Sequence, residues 1–124
     1  GTISTRDLFS IRSRKNDASV VRAMELVGLS DLADMDIARL SGGQRQRAVI
    51  GRALASNAEL LIFDEPLVNV DRSSRNGILK LLDDLCHNEN KTLLMVSHDL
   101  TAIRQSAHRV IYLDGKVQFD GENE

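Results

Sequence analysis

Three stretches of the sequence combine reactive side chains with backbone able to use them. In Leu40-Ser41-Gly42-Gly43-Gln44 a hydroxyl stands three residues before a carboxamide. That spacing is a capping box, in which Ser41 accepts from the Gln44 amide and Gln44 reaches back to Ser41. Gly42 and Gly43 weaken the first helical turn by about 1 kcal/mol each relative to Ala. Lacking Cβ atoms, they let a bulky anion approach the free N–H groups of the helix start; an ordinary glycine-rich helix start is the other reading. In Leu60-Leu61-Ile62-Phe63-Asp64-Glu65-Pro66 an apolar run ends in two carboxylates and the chain's one proline. Carboxylates at the C-terminal edge of a parallel sheet lie where such sheets take ligands; a solvated strand end is the alternative. Pro66 biases Glu65 toward an extended conformation and blocks continuation of the ladder. His98 follows a second apolar run, Thr92–Val96, and so belongs to the same sheet edge.

Ser97-His98-Asp99 is a poor hydrolase triad, because residues adjacent in an extended chain point apart while a triad needs convergent side chains. Asp99 is better read as the cap of a helix beginning at Leu100, and Asp71 as the cap of the helix after it. Arg45, Arg47 and Arg52 read as the solvated face of an amphipathic helix rather than a phosphate patch. Cys86 and His87 read as structural, and Met24, Met35 and Met95 as gap-filling core residues.

The elements that must position these groups follow from periodicity. Residues 1–39 are helical and polar-rich, with a cap at Ser4-Thr5-Arg6-Asp7 and a hydrophilic break at Arg12–Asp17. A helix carries Val20, Val21, Met24 and Val27 and stops at Gly28, and Ser30–Ala33 starts a short turn. From Leu40 onward helices and strands alternate: helix Ser41–Ala55, strand Leu60–Phe63, helix Ser73–Cys86, strand Thr92–Val96, helix Leu100–Ala107 and strand Val110–Leu113. Asp114-Gly115 then turns the chain into Lys116–Phe119. Apolar strands alternating with helices predict an α/β fold whose parallel sheet is covered on both faces.

Composition sets bounds. With 124 residues the chain has the size of one domain, and 42% hydrophobic residues suffice for a packed core. Sixteen Lys+Arg against 18 Asp+Glu give a net charge of −2, which argues against a nucleic-acid binder. The low aromatic content, 3% with no Trp, argues against stacking platforms for single strands. The longest apolar run is too short to span a bilayer. One cysteine forms neither an internal disulfide nor a multi-thiolate metal site, and a reducing, intracellular setting is expected. The first residue is Gly1 rather than Met, no signal-peptide pattern follows, and a piece of a longer protein is expected.

Taken together and in this order, the motifs resemble the second half of an ABC-type ATPase nucleotide-binding domain, a partial P-loop NTPase sheet behind an N-terminal α-helical subdomain. Leu40–Gln44 is similar to the ABC signature, Leu60–Asp64 to the Walker B strand and Glu65 to the catalytic glutamate. Val68-Asn69-Val70-Asp71 is similar to the D-loop, and His98 to the switch histidine. The resemblance implies residues 1–39 as a partial helical subdomain that engages a transmembrane permease, and residues 40–124 as the C-terminal half of the ATPase core. It implies a head-to-tail dimer that sandwiches two ATP molecules, in which Ser41, Gly42, Gly43 and Gln44 face the γ-phosphate of ATP held by the other copy. Asp64 would act on Mg²⁺, Glu65 would polarise the attacking water, His98 would contact the γ-phosphate and Asp71 would link the two sites. It also implies a peripheral place on the cytoplasmic face of the membrane. Residues 65–71 and 96–121 look closest to importers of zinc or manganese, in which the metal itself would not touch this chain.

The chain departs from the family in one respect. A P-loop needs Gly-x₄-Gly-Lys-Ser/Thr, whereas the one Gly-Lys pair, Gly115-Lys116, is followed by Val117 and position 110 is Val. The Walker A strand, which in the family lies between the strand before His98 and that at Val110–Leu113, is thus not found in these residues. The chain is expected to bind and hydrolyse ATP poorly by itself, and to pair its open strand edges with another copy. Two rivals stand beside the importer reading. An ABC-type ATPase of DNA maintenance is disfavoured by the lack of heptads before Leu40. A catalytically dead interaction module is disfavoured by Glu65 and His98, which have no obvious structural task.

Overall fold

The structure, a computed structural model, describes residues 3–10, 17–99, 101, 104, 109–113 and 116–122. Its elements are α1 (Thr5–Ser10), α2 (Asp17–Leu26), α3 (Gly42–Ala55), β1 (Leu60–Asp64), α4 (Arg72–Asn88), β2 (Thr92–Val96), β3 (Arg109–Leu113) and β4 (Val117–Glu122). Single 3₁₀ turns at Ser30–Leu32 and Ile37–Arg39 lead into α3.

Local chemistry explains the ends. Ser4 Oγ accepts from the Asp7 amide at 3.1 Å and starts α1. The end of α2 is a Schellman motif: Gly28 adopts φ 73°, its amide donates to Glu25 O at 3.1 Å, and the Leu29 amide donates to Met24 O at 2.9 Å. The capping box of α3 forms as the sequence predicts, with the Gln44 amide on Ser41 Oγ at 3.1 Å and the Ser41 amide on Gln44 Oε1 at 2.9 Å.

One continuous core joins these helices to β1. Phe9, Val20, Val27, Ile50, Leu54, Leu61, Phe63, Ile78, Leu82 and Leu85 are all buried in it. Burial of each such side chain stabilises the fold by about 1.5–3 kcal/mol. A Cβ on Gly51 would stand 2.3 Å from Phe9 Cζ, so glycine there lets α1 lie directly against α3. Met24 is buried, and Met35 and Met95 pack against the core from its margin.

β1 and β2 pair in parallel, Leu60 with Thr92 through Asp64 with Val96. Among the described residues, cover is seen on one face of this pair. Leu61 and Phe63 point into the core shared with α3 and α4, while Leu60, Ile62, Leu94 and Val96 on the other face stay exposed, Ile62 by 62%. β3 and β4 form an antiparallel hairpin with a register irregularity between Tyr112 and Leu113, and β4 runs on to Glu122. Among the described residues no ladder joins β2 to β3. The turn expected at Asp114-Gly115 lies outside the described residues, and of the helix expected at 100–107 only Thr101 and Arg104 are described, both helical.

The arginines of α3 are not simply a solvated face. Arg47 is half-buried, and its Nη1 donates to Val27 O at 3.2 Å, so it ties the end of α2 to α3. Arg45 Nη2 reaches Leu40 O at 3.4 Å, and Arg52 Nε is buried. Arg45 is exposed, as the periodicity predicts, whereas Arg47 departs from it because periodicity cannot see the end of α2 lying against α3. Among the described residues no helix is long and apolar enough to cross a membrane.

Candidate functional site

The C-terminal ends of β1 and β2 bring Glu65 and His98 together. The Glu65 amide donates to Val96 O at 2.7 Å, extending the parallel ladder by one bond beyond Asp64. Glu65 then turns into the left-handed region, φ 50°, rather than the extended conformation that Pro66 favours. The left-handed region costs an L-residue roughly 1–2 kcal/mol. The other described non-glycine residues there are Asn57, Asn69 and Asn90, of a type that tolerates it. The turn is closed by the Val68 amide on Glu65 O at 3.2 Å. Its result is to aim the Glu65 carboxylate across the sheet edge: Oε1 accepts from the His98 amide at 3.1 Å and is also hydrogen-bonded to His98 Nδ1. The His98 side-chain bond, with further help from the His98 amide and Ser97, holds the Glu65 carboxyl below its ordinary range. The carboxylate is therefore ionised at neutral pH and able to accept a proton or orient a water.

Asp64 lies next to this pair, exposed, at the register position of Val96. Its side chain has no hydrogen bond or ion pair among the described residues, which leaves both oxygens open to a cation. By type the Asp64 carboxylate fits Mg²⁺, an ion that takes one or two carboxylates and completes its shell with phosphate oxygens and water.

The Leu40–Gln44 segment faces a different neighbour. A Cβ on Gly42 would stand 2.6 Å from the Asn69 carbonyl oxygen, and one on Gly43 would stand 2.7 Å from Ser74 Oγ and 2.8 Å from Ser74 Cβ. Both glycines are thus packing positions, letting the 65–71 loop and the first turn of α4 close on the start of α3. Packing thus calls for glycine at both positions independently of any anion. Ser41 and Gly42 are exposed and Gly43 is buried. No hydrogen bond or ion pair joins Ser41–Gln44 to Glu65 or His98 among the described residues.

Asp71 occupies the N-cap position of α4 with φ −66°, ψ 159°, and its carbonyl accepts from the Ser74 and Arg75 amides at 3.1 and 3.2 Å. Its side chain does not cap a backbone amide as expected; Oδ2 takes the Ser73 hydroxyl instead. That bond, with Ser74, holds the Asp71 carboxyl below its ordinary range. Asp99 was expected to cap a helix from Leu100, a residue outside the described set; its carboxylate pairs with Arg75 of α4. Asn69, Ser74, Ser97 and Arg75 were not singled out from sequence as site residues. Each acts through a contact between segments distant in the chain, which no local pattern announces.

The ABC transporter family model matches residues 2–68, more than half of the chain. The zinc uptake system ATP-binding protein ZurA of Listeria monocytogenes is 39% identical over 121 residues, which is 98% of this chain and 47% of that protein. The thiamine import ATP-binding protein ThiQ of Yersinia pestis is 43% identical over 96 residues, 77% of this chain and 41% of that protein. Among solved structures, an inward-facing metal-chelate type ABC transporter superposes with a TM-score of 0.89 at 28% identity, covering 99% of this chain and 54% of that one. A dimeric ATP-binding cassette in a post-hydrolysis state, bound to ADP and Pi, gives a TM-score of 0.74 at 29% identity, covering 98% of this chain and 55% of that one. The chain spans about half the length of the curated relatives it matches. The sheet-edge acids, the capped glycine-rich helix and a family match across more than half of the residues converge: this chain belongs to the ABC transporter family.

Proposed function

We propose that this chain is the C-terminal part of the ATP-binding and ATP-hydrolysing subunit of an ABC importer. The observation that carries the reading is the Glu65–His98 pair at the C-terminal ends of two parallel strands, with Asp64 open beside it. Glu65, ionised and held in place, orients and polarises the water that attacks the γ-phosphate. His98, bound to Glu65 through one ring nitrogen, presents the rest of its exposed ring toward the phosphate. Asp64 would hold Mg²⁺, which when bound neutralises charge on the phosphates. Ser41, Gly42, Gly43 and Gln44 serve the nucleotide held by a second copy in a head-to-tail dimer, and Asp71 links the two sites. Residues 1–39 serve as the helical subdomain that meets the transmembrane permease, with residues 40–124 as part of the ATPase core. The subunit lies peripherally on the cytoplasmic face of the membrane.

The proposed cargo is zinc or manganese. The zinc uptake relative is similar across 98% of the chain, the thiamine import relative across 77%, and the metal-chelate type transporter superposes on almost every residue. No Gly-x₄-Gly-Lys-Ser/Thr pattern occurs in residues 1–124, so these residues alone hold Mg-ATP poorly; stoichiometric, tight binding by calorimetry would contradict this.

The test is Glu65→Gln in the complete protein. It keeps shape and removes the ionised acceptor, so ATP binding persists, hydrolysis falls by about 10²–10⁴-fold, and ATP-bound dimers accumulate in size-exclusion runs. Near-normal turnover would remove Glu65 from this role.

A further inference from the structure

The His98 side chain is 95% exposed, so no wall of packed atoms fixes its ring. One ring nitrogen is bonded to Glu65 Oε1, and beyond that bond the ring's position depends on the backbone of residues 97–99 and on what anchors that segment. Three of its anchors among the described residues are the His98 amide on Glu65 Oε1 at 3.1 Å, the Asp99 amide on Ser97 Oγ at 3.0 Å, and the ion pair between Asp99 and Arg75. The first two lie within the sheet edge. The third ties that edge to another element, the first turn of α4.

We propose that Arg75 is a positioning residue for His98, acting through Asp99; this rests on the phosphate-contacting role proposed for His98. The pair is more sheltered than a surface ion pair, with side chains 32% and 30% exposed, against 54% and 86% for Arg6 and Asp34. It is correspondingly less screened by solvent. The same turn of α4 is anchored on its other side: the Arg75 amide donates to Asp71 O at 3.2 Å, and neighbouring Ser74 lies directly against Gly43. Contacts therefore run without a gap from the glycines of α3 through Ser74 and Arg75 to Asp99 and His98.

The experiment uses the complete protein with Arg75→Ala, Arg75→Lys and Asp99→Asn. The expected result for Arg75→Ala is a fall in kcat of about three- to tenfold, with KM for ATP within about twofold. In the same variant the ¹⁵N resonance of His98 Nδ1 shifts while that of His87 stays. Asp99→Asn repeats both effects, and Arg75→Lys, which keeps the charge, recovers part of kcat. An unmoved His98 resonance overturns the proposal, as does a loss of kcat that merely follows a loss of melting temperature. The resonance is read without hydrolysis. If it shifts in a protein that has no ATPase activity even as wild type, the proposed function falls while the link from Arg75 to His98 stands.

Discussion

Two roles compete for Gly43, an opening for an anion and a seat for Ser74, and a double-mutant cycle separates them. A Cβ at position 43 meets Ser74 Oγ at 2.7 Å and Ser74 Cβ at 2.8 Å, against an ordinary contact of 3.4–4 Å. Rotating the serine side chain moves Oγ but not Cβ, so α3 and α4 must part by more than half an ångström. Overpacking of this kind costs about 1–3 kcal/mol, and alanine's better helix propensity returns at most about 1 kcal/mol. Gly43→Ala is therefore expected to destabilise the complete protein by about 1–2 kcal/mol. Ser74→Gly costs about 0.5 kcal/mol in propensity and loses a hydroxyl that helps hold Asp71. Combined, the two substitutions exchange the atoms across the contact. The double variant is expected to be more stable than the sum of the single effects by at least about 1 kcal/mol, read from urea melts of all four proteins. Strict additivity would refute the packing role. ATP turnover of the double variant gives the second answer: recovery means that Gly43 is needed for fit alone, and stability without turnover means that the open approach to the helix start is also used.

Gly51→Ala drives a Cβ to 2.3 Å from the ring of fully buried Phe9 and is expected to lower stability by about 1–2 kcal/mol. Gly77→Ala brings a Cβ to 2.7 Å from Arg47 Nη2 and so displaces the guanidinium that holds Val27 O. Loss of that bond offsets alanine's gain of up to about 1 kcal/mol in helix propensity, and the melting temperature is expected to stay level or fall slightly. In the hairpin, Arg109 Nε and Nη2 both lie 2.8 Å from Asp120 Oδ1 and hold its carboxyl below the ordinary value of 3.8. A depressed folded-state pKa means that the pair's contribution is complete above 3.8 and is lost as pH falls through the lower folded value. Carboxyl NMR titration is expected to show this, with Arg109→Gln returning Asp120 toward 3.8.

What was legible in the sequence is what the chain settles locally. Ser41 and Gln44 bond within one helical turn, and Gly28 ends α2 by its own conformation, so spacing alone disclosed both. The shared edge of Glu65 and His98 was legible because each follows an apolar run of strand length, though their direct bond needed the register that sets Asp64 beside Val96. The tasks of Gly42 and Gly43 were not legible, since Asn69 and Ser74 reach them only after the 65–71 loop folds back. Arg47 and Arg75 were hidden for the same reason: a long cationic side chain reads as solvated until the tertiary fold supplies Val27 O or Asp99. That α3 and α4 share the core of Leu61 and Phe63 was not legible either, since an apolar strand does not say which of its faces a given helix will cover.

The conformation of Glu65 shows how a local preference is overruled at a site. Pro66 favours an extended residue before it, and the left-handed region is unfavourable for any residue with a Cβ. Against these stand the bond from the Glu65 amide to Val96 O, the bond that closes the turn, and two contacts from one carboxylate oxygen to His98. A typical hydrogen bond contributes about 0.5–1.5 kcal/mol, and those to charged groups more, so together they outweigh the backbone cost. An extended Glu65 would continue the line of β1 and carry its carboxylate away from the end of β2. The left-handed turn instead places an ionised acceptor over the edge where the two strands end, next to Asp64 and against His98. The left-handed turn at this one residue is thus what sets the acid against the histidine, beside the Asp64 carboxylate that β1 already carries to the same edge.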